Sequence, residues 1–96
     1  MKQFLYKVPN GKLLKIKIEI VNRQIKDIQI LGDFFLYPEE KLAIIERALI
    51  GKRKDEILDV LNNIVKKEHI LLVGFSIDDL NSLIQRAFDD EMETDS

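Results

Sequence analysis

No cysteine occurs among the 96 residues, and histidine occurs once. The first absence excludes disulfides, thiolate catalysis and thiolate metal sites. The second excludes any metal site built on a histidine pair. No apolar run is long enough to span a membrane. The N-terminal MKQFLYKVPNGK lacks the apolar stretch and small-residue cleavage site of a secretory signal, so a cytoplasmic location is the default expectation. Glycine occurs four times and proline twice, with no Gly-rich phosphate loop, internal repeat or low-complexity segment. What remains is ordinary globular composition, 46% hydrophobic and 33% charged, of a length that supports one modest core.

The charge is unevenly placed. Residues 1–30 carry seven basic side chains and two acidic ones, and the rest of the chain carries eight basic and fifteen acidic. Such asymmetry can steer partners, and it also arises when strands and helices expose different solvated faces.

Three strand signals come first. Residues 3–8 are apolar and β-prone, and Pro9-Asn10-Gly11 reads as a tight turn, with Gly11 free to take positive φ. Over residues 12–21, Leu14, Ile16, Ile18 and Ile20 alternate with Lys15, Lys17 and Glu19, which is a strand with one apolar and one charged face. Asn22 and Arg23 make the next turn. Residues 24–31 form a third strand with Ile28 and Ile30 on one face. Ile25 has the other parity, which predicts a twist or bulge near Lys26.

Helix signals follow. Pro38 suits a first helical position, Glu39 and Glu40 suit its positive end, and Gly51 is a C-terminal stop. Leu42, Ile45 and Leu49 form the stripe between them. Lys52, Arg53 and Lys54 read as a basic linker. A second helix is predicted from about Asp55 to Lys67, with Ile57, Leu58, Leu61, Ile64 and Val65 as its apolar stripe. Ile70 to Val73 reads as a short connector ended by Gly74. Ser76 with Asp79 resembles a capping box that opens a third helix, striped by Leu80, Leu83, Ile84, Ala87 and Phe88. The expected fold is α+β: a small antiparallel three-stranded sheet covered on one face by about three helices. Residues 1–90 form one domain and 91–96 an acidic tail expected to fray.

Chemistry is hard to place on this chain. His69 lies near the end of the second helix, where an imidazole is structurally favoured. Ser76 reads as a cap, and Glu39-Glu40 and Asp78-Asp79 open helices. No residue is therefore assigned as catalytic, and no metal site is assigned. Lys12, Lys15 and Lys17, with Lys7, could form a basic stripe, but a pI near 5.4 and the lack of a stacking platform argue against nucleic acid. From the residues alone, a partner-binding module is the expectation.

The stretch GKLLKIKIEIVNRQIKDIQILGDFFLYPEEKLAIIERALIGKRKDEI resembles the C-terminal accessory domain of lipoate–protein ligases. The resemblance rests on Gly11-Lys12, Ile28 to Leu31, Gly32-Asp33-Phe34-Phe35, Pro38-Glu39 and Leu49-Ile50-Gly51, in that order. GFSIDDLNSLIQRAF, from Gly74 to Phe88, resembles the closing helix of the family. Together the likeness covers about residues 8–88. It implies a fold similar to the iron–sulfur scaffold and sulfur-acceptor proteins, whose sulfur chemistry a cysteine-free chain cannot perform.

The resemblance further implies the stand-alone small subunit of a split, archaeal-type ligase, working as a heterodimer with a separate catalytic subunit. ATP, Mg, lipoate and the lipoyl-AMP intermediate are then expected on the catalytic partner, with none bound by this chain alone. The lipoyl group would pass to a carrier-domain lysine of a 2-oxoacid dehydrogenase component or a glycine-cleavage carrier protein. The partner-interface candidates are Asp33, Phe34, Phe35 and Tyr37. Of two adjacent phenylalanines in extended chain, one should face the core and the other solvent. The basic-face candidates are Lys12, Lys15 and Lys17. Gly11, Gly32, Pro38, Gly51 and Ser76 have structural roles, with Asp33 a further candidate cap for nearby N–H groups. No membrane contact is expected, and the alternative is a small adaptor, or weak nucleic-acid binder, without a role in lipoylation.

Overall fold

The computed structural model describes residues 1–10 and 12–94, with the side chains of 92–94 left undescribed. The main sheet has the order β1(Lys2–Lys7), β2(Leu13–Val21), β3(Gln24–Gly32), antiparallel throughout. Alternation along β2 decides its orientation. Leu14, Ile16 and Ile18 are buried while Lys15 and Lys17 face outward. The register shifts between Glu19 and Ile20, pairing Glu19 with Asp27 and Ile20 with Ile25. Lys26 is the extra residue, and the bulge is the physical reason that Ile25, Ile28 and Ile30 are all buried despite their mixed parity.

A second, two-stranded sheet pairs β4(Phe35–Tyr37) with β5(Leu71–Val73). The predicted connector Ile70 to Val73 is thus largely a strand. Strands of three residues are too short to show a period, so pairing across the fold makes them. A 3₁₀ turn, Glu39–Lys41, follows Pro38, then α1(Leu42–Leu49). Pro38 therefore precedes a 3₁₀ turn instead of opening the α-helix, with its carbonyl accepting the Lys41 N–H at 3.0 Å. Gly51, at φ +82°, ends the helix and donates its N–H to Ile25 O at 2.7 Å. Ile25 donates in turn to Lys52 O at 3.0 Å, and Arg53 bridges Gln24. The expected basic linker is therefore fastened along the edge of β3.

A second 3₁₀ turn, Lys54–Glu56, leads into α2(Ile57–Lys67), and α3(Ile77–Thr94) closes the chain. α1 lies against β3, α3 lies against β1 and β2, and α2 packs on both helices. The core draws on all three layers: Ile16 and Ile30 from the sheet, Ile45 and Leu49 from α1, Leu61 from α2, Leu83 and Ile84 from α3. Each such side chain stabilises the fold by roughly 1.5–3 kcal/mol. Leu58, predicted to lie on the apolar stripe of α2, is exposed instead.

Both edges of the main sheet are occupied, which blunts their tendency to recruit other strands. On β3, the Ile30 N–H donates to Glu46 Oε2 of α1 at 2.7 Å. On β1, Arg86 of α3 donates to Leu5 O at 3.0 Å. α3 is capped by a reciprocal pair. The Asp79 N–H donates to Ser76 Oγ at 3.1 Å, and the Ser76 N–H donates to Asp79 Oδ2 at 2.8 Å.

The acidic segment expected as a tail from Glu91 continues α3 to Thr94, while Asp95 and Ser96 lie outside the described residues. Lys2 pairs with Asp90 at 2.8 Å and Glu91 at 3.3 Å, and Lys54 pairs with Asp89. The hydrogen bond to Asp90 raises the Lys2 pKa above its ordinary value. Those pairs bind the last turns to β1 and to the second 3₁₀ turn. Among the described residues no helix is long and apolar enough to cross a membrane.

Candidate functional site

The junction between the two sheets makes the most distinctive surface. At Gly32 the backbone takes φ +148°, and a Cβ there would come within 2.1 Å of Leu13 O. Only glycine lets the chain pass this close to β2. Asp33 then donates its N–H to the same Leu13 carbonyl at 3.0 Å. The Asp33 side chain is exposed and makes no hydrogen bond among the described residues, so it is not the cap that sequence reasoning allowed.

The chain leaves this junction with its side chains alternating. Phe34 turns inward, half-buried, with its ring 4.5 Å from that of Phe75. Phe35 turns outward. Leu36 is buried, and Tyr37 turns outward again. Of the paired phenylalanines, one serves the core and the other meets solvent. The exposed rings of Phe35 and Tyr37 are stacked, centroids 6.4 Å apart and planes 11° from parallel.

Strand β5 extends this surface. Phe35 lies opposite Val73 and Tyr37 opposite Leu71, and both β5 residues are exposed. The outer face of this small sheet therefore carries four large apolar side chains and no charge. Leu71, at 59%, is the most exposed of them. Leu71 and Val73 were absent from the sequence-level candidates, because a partner strand 34 positions away leaves no local signal. Their only trace is alternation within LLV, which three residues cannot establish.

The three lysine candidates separate. Lys15 and Lys17 share the outward face of β2, and Lys15 lies between Leu5 on β1 and Leu31 on β3. Lys12 precedes the strand and sits elsewhere: a Cβ on Gly74 would come within 3.0 Å of Lys12 Cγ. Lys12 thus stands beside the end of β5, close to the small apolar sheet. The stripe of all three lysines does not form, since Lys12 has the opposite parity to Lys15 and Lys17. None of the three has an ion-pair partner among the described residues. Gly11, assigned a turn role, lies outside the described residues.

Groups suited to bond-making chemistry are few. The Ser76 hydroxyl is occupied by the α3 cap, donating to Asp79 Oδ2 at 2.9 Å. His69 follows α2 in a left-handed conformation, φ 54°. Among the described residues no cluster of three or more His, Asp or Glu side chains could hold a metal ion, and no polar or charged side chain is fully buried. The arrangement can bury apolar surface against another molecule.

Comparison with known proteins agrees in extent with the fold. Residues 6–84 match the family described as bacterial lipoate protein ligase C-terminus. The chain is 33% identical over 51 residues to lipoate-protein ligase A subunit 2 of Thermoplasma acidophilum. That match covers 53% of this chain and 54% of the relative, so it spans about half the relative's length. A solved structure of an archaeal lipoylation system, a bi-partite lipoate protein ligase and its E2 lipoyl domain from the same organism, is also similar. One of its chains superposes with a TM-score of 0.77 at 25% identity, over 86% of this chain and 92% of that one. The chain belongs to the lipoate protein ligase C-terminal family.

Proposed function

We propose that this member of the family is the non-catalytic small subunit of a bipartite lipoate–protein ligase, docking on a separate catalytic subunit through the outer face of the two-stranded β4–β5 sheet. The observation that carries the reading is the uncharged, exposed surface of Phe35, Tyr37, Leu71 and Val73. Aromatic side chains at the centre of such a patch are the usual anchors of protein interfaces. The bipartite ligase of T. acidophilum supports a two-chain assembly.

In this reading Mg-ATP, lipoate and the lipoyl-adenylate belong to the catalytic subunit. The small subunit packs its β4–β5 sheet against that subunit, orders loops around the adenylate and limits the access of water. Sequestration of this kind protects reactive acyl intermediates. Lys15 and Lys17 supply a cationic flank that steers an acidic surface toward the complex. The lipoyl group then passes to a carrier-domain lysine of a 2-oxoacid dehydrogenase component or a glycine-cleavage carrier protein, in the cytoplasm.

Association tests the reading. The chain and its catalytic subunit, mixed and run through size-exclusion chromatography with light scattering, should form a one-to-one heterodimer. A Phe35→Asp chain should elute apart from the subunit. Co-elution of the Phe35→Asp, Tyr37→Asp double variant at wild-type affinity would remove the β4–β5 sheet from the interface.

A further inference from the structure

A cleft of about 710 Å³ opens between the β2–β3 turn, the 3₁₀ turn before α2 and the last turns of α3. It lies at the end of the main sheet remote from the β4–β5 sheet. The β2–β3 turn joins Val21 to Gln24, whereas β4 departs just after Gly32, which pairs with Leu14 near the start of β2. Its size falls within the range of small-molecule sites. Ile20, Val21 and Phe88 supply its apolar part, and Arg23 and Arg53 its cationic part.

Two features set these arginines apart from ordinary surface charge. Arg23 occupies a left-handed position, φ 63°, in a two-residue turn where glycine is the favoured residue. Arg53 is held beside it, because the isolated bridge between Gln24 and Arg53 continues the backbone bonds from Ile25 to Gly51 and Lys52. Like most basic side chains here, neither guanidinium has an ion-pair partner among the described residues, so both are available to a ligand. Of the other charged groups around the cleft, Lys54 is paired with Asp89 and Glu91 with Lys2. Asp55 has no ion-pair partner among the described residues, and the Glu56 carboxylate is engaged by the Arg53 backbone N–H at 2.8 Å.

We propose that this cleft binds a small organic anion. Its carboxylate or phosphate head is held by Arg23 and Arg53, and its apolar body lies on Ile20 and Val21 over Phe88. Planar guanidiniums suit both oxyanions through paired N–H donors. The site is independent of the docking surface and is present in the free chain.

The test is a titration of the ¹⁵N-labelled 96-residue chain, followed by NMR, with phenyl phosphate, hexanoate, inorganic phosphate and hexylamine. Phenyl phosphate or hexanoate should give saturable shifts at the amides of Arg23, Gln24, Arg53 and Phe88, and the tighter of the two identifies the head group. Arg53→Gln should weaken binding at least tenfold. Arg23→Gly should weaken it as much while raising the thermal midpoint, since glycine fits the turn; this variant separates binding from folding. The proposal is overturned if neither organic anion saturates, or if Arg23→Gly and Arg53→Gln bind like the wild type. It is equally overturned if hexylamine gives the same shifts, or if inorganic phosphate binds as tightly as phenyl phosphate. Because no partner subunit is present, the outcome leaves the docking account untouched.

Discussion

Phe35 and Tyr37 stack ring on ring on the solvent side of β4, 6.4 Å between centroids, while Phe34 between Asp33 and Phe35 packs on Phe75 from the other side. One residue step therefore divides the aromatic segment into a part that holds the fold and a part free to hold something else.

That division predicts opposite phenotypes for neighbouring substitutions. Phe34→Ala should lower unfolding stability by about 3 kcal/mol, in the range for large core truncations, read by urea denaturation. Phe35→Ala should change stability by less than about 0.5 kcal/mol and weaken binding to the catalytic subunit at least tenfold, about 1.4 kcal/mol. Equal stability losses for the two would contradict the alternation.

Gly32→Ala places a methyl group against Leu13 O in a conformation that side chains rarely adopt. A loss of about 2 kcal/mol or more is expected. Because the junction aims β4, association should weaken as well, beyond what the unfolded fraction explains. A variant as stable as the wild type would show that β2 and the junction can separate cheaply.

Glu46 holds the open edge of β3 through the Ile30 N–H. Glu46→Ala should cost about 1–3 kcal/mol, the range for a donor left without its partner. Faster amide exchange at Ile30 should accompany it. Glu46→Gln keeps an acceptor oxygen and should recover most of the loss. Without that recovery, the carboxylate charge would matter more than the hydrogen bond.

At the start of α3, Ser76→Ala removes the acceptor for the Asp79 N–H. The expected cost is about 1 kcal/mol by thermal or chemical denaturation. Ser76→Asn, another good cap, should cost a few tenths at most. Association should be unaffected by either change.

The main sheet was legible because β2 alternates without interruption, and the wrong parity of Ile25 revealed the bulge. The apolar stripe of α3 was equally plain, with Leu80, Leu83, Ile84, Ala87 and Phe88 all buried. The outer face of the β4–β5 sheet was half legible. Phe35 and Tyr37 stood out as aromatics, while Leu71 and Val73 reached the site through a pairing that no local pattern encodes. The basic stripe was misread because Lys12 lies outside the strand whose parity Lys15 and Lys17 share. The last turns of α3 looked like a tail for want of an apolar stripe; Lys2 and Lys54 reach them from 88 and 35 positions away. The cleft beside Arg23 was silent for the same reason, since Arg53 arrives there by a long-range bridge.

The most direct measurement is a reconstitution. The purified catalytic subunit is given Mg-ATP, lipoate and a carrier domain, with this chain, with its Phe35→Asp variant, or with neither. Lipoyl-adenylate and lipoylated carrier are followed by mass spectrometry. The account predicts product with the wild-type chain and at least a tenfold lower rate with the variant or without the chain. Equal rates in all three mixtures would contradict it.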